Sequence, residues 1–148
     1  MKRKDMKSEE QIEKILRNYL IKKGWTETSD LRKIGQHGWD IKAFHSKWRK
    51  ILLIECKGDS NSKYNTQKIH NAFWISIGQV MARMDKQGNN SKKARIYAIG
   101  IPTSWGPIFK RKAKKMEYGW NFLKLRIFLV SENKKVEEKT YKQFLKVT

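Results

Sequence analysis

Three charged residues stand out in one short stretch of this chain, "HGWDIKAFHSKWRKILLIECKGD": Asp40 near its start, Glu55 and Lys57 near its end. Between them lies "ILLI", Ile51 to Ile54, an apolar run of the kind found inside a sheet. Charge placed in such a strand is costly unless it is partnered. Alternate strand residues point to opposite faces, so Glu55 and Lys57 share a face with Ile51 and Leu53, while Leu52, Ile54 and Cys56 face the other way. An antiparallel hairpin centred near Lys47 and Trp48 brings Phe44 opposite Ile51 and Asp40 opposite Glu55, with Cβ atoms about 5 Å apart. Two carboxylates at that distance repel, and a divalent cation removes the conflict. Mg²⁺, with Mn²⁺ as a substitute, takes one or two protein carboxylates together with waters and phosphate oxygens. The lysine beside it orients or deprotonates a water, or stabilises charge developing on phosphorus. The three residue types are those of phosphodiester hydrolysis.

The flanking elements must hold these residues in place. Ile12, Ile15, Leu16, Tyr19 and Leu20 recur at helical spacing from Ser8, where Ser8 and Gln11 form a capping box and Gly24 ends the helix. Trp25 to Ile34 reads as a short strand and a bend. "GQHG" is a turn into a strand over Asp40–Phe44, "HSKWRK" reverses the chain, and Ile51–Lys57 is the next strand. After the polar loop "GDSNSKYN", Ile69, Phe73, Ile77, Val80 and Met84 mark one face of a helix over Thr66–Lys86. "QGNNSKK" breaks it. "ARIYAIGIP" is a buried strand, Pro107–Glu117 a short basic helix, "NFLKLRIFLV" a further strand, and Tyr141, Phe144 and Leu145 mark a last short helix. The order predicts an α/β fold, a mixed sheet flanked by helices.

At 148 residues the chain suits one domain, with residues 1–7 as a basic tail. Lys and Arg outnumber Asp and Glu by 34 to 14, a formal charge of +20, which calls for a polyanionic partner. Nucleic acid, held mainly through backbone phosphates, is the first candidate. No apolar run approaches the ~18 residues of a membrane span, and "MKRKDMKSEE" lacks the apolar stretch of a signal peptide. A cytoplasmic protein is expected. The single cysteine, Cys56, excludes an internal disulfide and a cysteine-built zinc site.

"GWD" and "ECK", with fourteen residues between them, resemble the signature of the PD-(D/E)XK, or restriction-endonuclease-like, nuclease superfamily. Its αβββαβ core order matches the elements read from Ser8 to Pro102, with a C-terminal helix and strand added. The residue before the aspartate is Trp39 where the family name has Pro. The resemblance implies a Mg²⁺-dependent DNA endonuclease in which Asp40 and Glu55 bind metal, the backbone carbonyl of Cys56 completes the site, and Lys57 assists hydrolysis. It points to Glu13 as a first-helix glutamate, with Glu9 or Glu10 serving if the register differs by a turn. Within "SIGQVMARM" it points to Gln79.

Lys110, Arg111, Lys112, Lys114 and Lys115 form a basic run suited to phosphate contact without base reading. His37 reads as incidental in its turn, His45 and His70 as surface residues, and Cys56 as core packing. Trp105, Trp120 and Tyr118 read as core or rim aromatics. Three other readings stand beside the endonuclease: a Holliday-junction resolvase, normally a homodimer; a non-catalytic nucleic-acid-binding module; and a binder of anionic membranes, which has no basic amphipathic helix to support it.

Overall fold

A computed structural model of the chain describes residues 8–27, 38–58, 65–84 and 94–146. The basic tail 1–7, His37 with most of its turn, and most of the loops "GDSNSKYN" and "QGNNSKK" lie outside them.

Helix α1 spans Glu9–Lys22, and the expected capping box is formed: the Ser8 hydroxyl accepts from the Gln11 amide while the Gln11 side chain accepts from the Ser8 amide. Gly24 ends the turn with φ +94°, and a Cβ there would lie 2.9 Å from the imidazole of His45. Glycine is required on both counts. Strand β1 is the two residues Thr26–Glu27.

Strands β2 (Ile41–His45) and β3 (Lys50–Cys56) pair antiparallel with Phe44 opposite Ile51, the register read from the sequence. Helix α2 covers Thr66–Arg83, three residues shorter than expected; the Asn65 side chain caps its start, and Met84 leaves helical geometry. Strand β4 (Ala94–Pro102) runs parallel to β3. To this point the order is helix, three strands, helix, strand, as expected.

Beyond Pro102 the chain departs from expectation. A 3₁₀ turn, Thr103–Trp105, leads into α3 (Gly106–Lys115), Met116 breaks the helix, and α4 follows over Glu117–Leu123. "NFLKLRIFLV" is therefore not one strand. Asn121–Leu123 close α4, Lys124 takes a left-handed conformation (φ 55°), and β5 is only Arg126–Val130. The apolar letters mix two periods: Trp120 and Leu123 turn inward at helical spacing while Phe122 is 79% exposed. Strand β6 (Val136–Lys139) was not foreseen, because "VEEK" is a mostly exposed, charged edge strand of the kind that resists further pairing. Helix α5 is Tyr141–Leu145.

The six strands lie in sequence order, with β3, β4 and β5 parallel and the other pairs antiparallel. On one face Ile12, Leu16 and Leu20 of α1 cover Leu52, Ile54, Cys56, Ala98 and Phe128. On the other, Ile69, Phe73, Ile77 and Val80 of α2 pack with Ile99, Ile127, Phe109 and Trp120. The fold is α/β, an open mixed sheet flanked by helices. Among the described residues no helix is long and apolar enough to cross a membrane.

Candidate active site

The regular β2–β3 ladder ends at Ile41 opposite Ile54, one pair short of Asp40 and Glu55. The Asp40 amide donates to the Ile54 carbonyl at 3.0 Å, one residue out of register. Its carboxylate Oδ2 then accepts from the Cys56 amide at 2.7 Å. Asp40 thus stands at the mouth of β2, oriented by a backbone donor, rather than as the cross-strand partner of Glu55.

Alternation along β3 sends Cys56 under α1 and Glu55 to the α2 face, as the sequence implied. Glu55 is only 3% exposed, and two cations meet it there. Arg83, from the last turn of α2, forms a hydrogen-bonded ion pair with Oε1, and Lys57 Nζ lies 3.5 Å from Oε2. Lys57 follows directly on β3, and its amide donates to the Gly100 carbonyl at 2.9 Å, which carries the pairing with β4 one residue further. Burial first, then the negative charge of Asp40, raises the Glu55 carboxyl above its ordinary value, against the pull of Arg83 and Lys57.

The first helix brings two more carboxylates. Helix α1 lies low on the sheet because β4 has Gly100 beneath it; a Cβ there would come within 2.6 Å of Leu16 Cδ1. Ile12 and Leu16 bracket Glu13 on the same helix, so this contact sets the height of Glu13 as well. Arg17 Nη1 lies 3.3 Å from Glu13, Nη2 donates to the Asp40 carbonyl at 3.0 Å, and Nε bonds Glu27 at 2.9 Å. One guanidinium therefore ties α1, β1 and the Asp40 backbone together. The buried Cys56 thiol is pushed well up, first by burial and then by the charges of Asp40, Glu13 and Glu55. Glu9 is raised by burial first, with Asp40 adding and Lys57 opposing, so it shares the same field.

Asp40, Glu55 and Lys57 thus stand at the carboxyl end of β3, with Glu55 turned to the α2 face, while Glu13 on α1 is linked to the Asp40 backbone through Arg17. Gln79 stands one helical turn before Arg83, with its buried Oε1 accepting no hydrogen bond. The basic run is elsewhere, on α3, and its members differ. Lys110 Nζ donates to the Lys146 carbonyl, Lys112 lies over the Trp74 ring at 5.6 Å, and Arg111, Lys114 and Lys115 are exposed. His70, half-buried beside them, is held below its ordinary value by desolvation first and then by Lys112, Arg111 and Lys115.

The sequence reading missed Arg83 and Arg17; the available signals were the arginine four residues after Gln79 and the arginine four after Glu13. His45 is a correction. It is 7% exposed rather than a surface residue, because Trp25 and Trp48 enclose it. Among the described residues no three His, Cys, Asp or Glu side chains are grouped to hold a metal ion by themselves. No family model matches the chain, and neither a curated protein nor a solved structure matches it.

Proposed function

We propose that this chain is a metal-dependent nuclease of the PD-(D/E)XK type that hydrolyses DNA phosphodiester bonds. One observation carries the reading: Asp40, whose carboxylate accepts from the Cys56 amide at 2.7 Å, and Glu55, with Lys57 Nζ 3.5 Å from it, meet at the carboxyl end of β3. The carboxyl ends of parallel strands are where open α/β sheets receive ligands. The +20 charge supplies a second, independent reason to expect phosphates.

The donor set fits Mg²⁺ of the kind bound by few protein ligands. Asp40 and Glu55 offer hard oxygens, and their repulsion is what such an ion relieves. Asp40, Glu55 and the Cys56 carbonyl would hold it, and the bound ion supplies Lewis-acid assistance to attack on phosphorus. The chain's own groups do the rest. Lys57 presents its ammonium to the attacking water or to a phosphoryl oxygen. The Cys56 amide and Arg17 fix the direction of Asp40. Arg83 favours the ionised form of Glu55 and holds it in place. Arg111, Lys114 and Lys115 grip backbone phosphates.

The test incubates wild type, Asp40→Asn and Lys57→Ala with plasmid, linear, single-stranded and four-way-junction DNA in Mg²⁺, Mn²⁺ or EDTA. Metal-dependent cleavage lost in both variants is expected, and cutting of the junction with plasmid spared makes the enzyme a resolvase. A wild type that cuts nothing in either metal overturns the proposal. It would favour the second reading, a non-catalytic nucleic-acid module, which has its own support: both Glu55 oxygens are already met by cations.

A further inference from the structure

At the opposite end of β3 from Glu55, the hairpin turn carries Trp48, a tryptophan 54% exposed. This exposed indole is packed on one side. Its ring stacks on the imidazole of His45, with centroids 4.0 Å apart and an interplanar angle of 10°. The imidazole is itself buried and engaged at both ring nitrogens. His45 Nδ1 accepts from the Trp48 amide at 3.3 Å, so Nε2 carries the proton and donates to the Lys23 carbonyl at 3.3 Å. Gly24 leaves room for that ring and no more. The turn is closed by the Arg49 amide donating to the His45 carbonyl at 2.7 Å, with Arg49 in the left-handed region (φ 54°).

Trp25 stands edge-on to both rings, 5.1 Å from His45 and 6.1 Å from Trp48. Being nearer to His45, it flanks the stack and does not cap it. Among the described residues the outer face of Trp48 is left open beside a cleft of about 590 Å³ that Tyr19, Lys23, Trp25, Lys50 and Arg126 also line. Among the described residues the one acid there, Glu138, is already engaged by Arg126 at 2.9 Å and by the Tyr19 hydroxyl at 3.1 Å. Lys50 and Lys23, the latter with its ammonium over the Tyr19 ring at 5.5 Å, are the lysines that line the cleft and can face an anion.

We infer that this cleft is a second binding site, taking an unpaired nucleobase on the open face of Trp48 and its adjoining phosphate against Lys23 and Lys50. A flat ring packed on a buried partner loses little freedom on stacking, and stacking tolerates any base. The cleft volume lies within the ~300–1,000 Å³ of ordinary small-ligand sites. The inference involves none of the carboxylates at the other end of β3, and it stands or falls apart from the nuclease reading.

The test is fluorescence anisotropy of a labelled oligothymidylate in EDTA, using the full chain with Trp48→Ala, Trp48→Phe and Lys50→Ala. Trp48→Ala weakens binding roughly five- to 150-fold, Trp48→Phe recovers most of the loss, Lys50→Ala weakens it less, and thermal melts of the variants match wild type. An abasic oligomer of equal length binds wild type as weakly as oligothymidylate binds Trp48→Ala. Competition by dTMP at micromolar concentration identifies the source as a free nucleotide; competition only at millimolar concentration identifies it as a single strand. Unchanged affinity in Trp48→Ala, or equal affinity of wild type for abasic and base-bearing oligomers, overturns the inference.

Discussion

The carboxylate of Asp40 accepts the backbone N–H of Cys56 at 2.7 Å, so a side chain does at the end of the β2–β3 ladder what a strand pair does elsewhere. Structure and proposed chemistry meet in that one group and can be separated. Asp40→Asn keeps an acceptor, so its stability stays within about 1 kcal/mol of wild type while cleavage is lost. Asp40→Ala strands the amide and costs roughly 1–3 kcal/mol in chemical denaturation. Equal destabilisation by both variants would show that the hydrogen bond is not what Asp40 contributes.

Arg83 compensates a buried carboxylate. Removing one member of a buried pair typically costs about 3–5 kcal/mol; the Arg83 side chain is 20% exposed and Lys57 stays beside Glu55, so about 2 kcal/mol is expected for Arg83→Ala. Saturating Mg²⁺ should raise the melting temperature of Arg83→Ala by more than it raises that of wild type, since a cation then restores what the arginine supplied. Identical shifts in the two proteins would argue against Mg²⁺ at Glu55.

Gly100→Ala forces a methyl into Leu16, 2.6 Å away in a fully buried contact. Overpacking of this kind costs about 1–3 kcal/mol, and it lifts the helix that carries Glu9 and Glu13. Combining Gly100→Ala with Leu16→Ala should cost less than the sum of the two single changes, measured as a double-mutant cycle.

The Tyr19 hydroxyl is pushed up to about 12 from an ordinary 10.0, by burial first and then by Glu138. A folded value above the unfolded one means that this residue's stabilisation is fully present below pH 10 and is lost as pH rises through 12. The stability difference between wild type and Tyr19→Phe should therefore shrink across that window. Glu138→Gln should lower the late phase of the tyrosinate absorbance titration.

Exposed cations on α3 should appear in the salt dependence of DNA binding. Replacing Arg111, Lys114 and Lys115 together by alanine should reduce the slope of log K against log salt by about 2–3, near 0.9 per phosphate contact. Lys110→Ala should change it less, because that ammonium already bonds the Lys146 carbonyl.

Periodicity made much of this legible. The stripe from Ile12 to Leu20 marked α1, and strand alternation assigned Glu55 and Cys56 to opposite faces before any coordinates. The hairpin register followed from the same alternation. What escaped depends on distant elements arriving at one place. Arg83 looks like any arginine closing a helix until the end of α2 is set beside the end of β3. His45 is polar by type and is buried by Trp25, twenty residues away. The Asp40 cap needs an irregular backbone bond that no alternation rule contains. The run from Asn121 to Val130 failed for a different reason: a helix end and a strand share one apolar stretch, and only the left-handed Lys124 divides them.

Strand β3 also fixes a distance. Its seven residues span roughly 20 Å, with Trp48 just ahead of one end and Glu55 at the other. If the two proposed sites take one polynucleotide, that span sets the distance from the stacked base to the phosphate met by the carboxylates. Spacing from a gripped base, rather than recognition of letters, would then decide where such a chain is addressed.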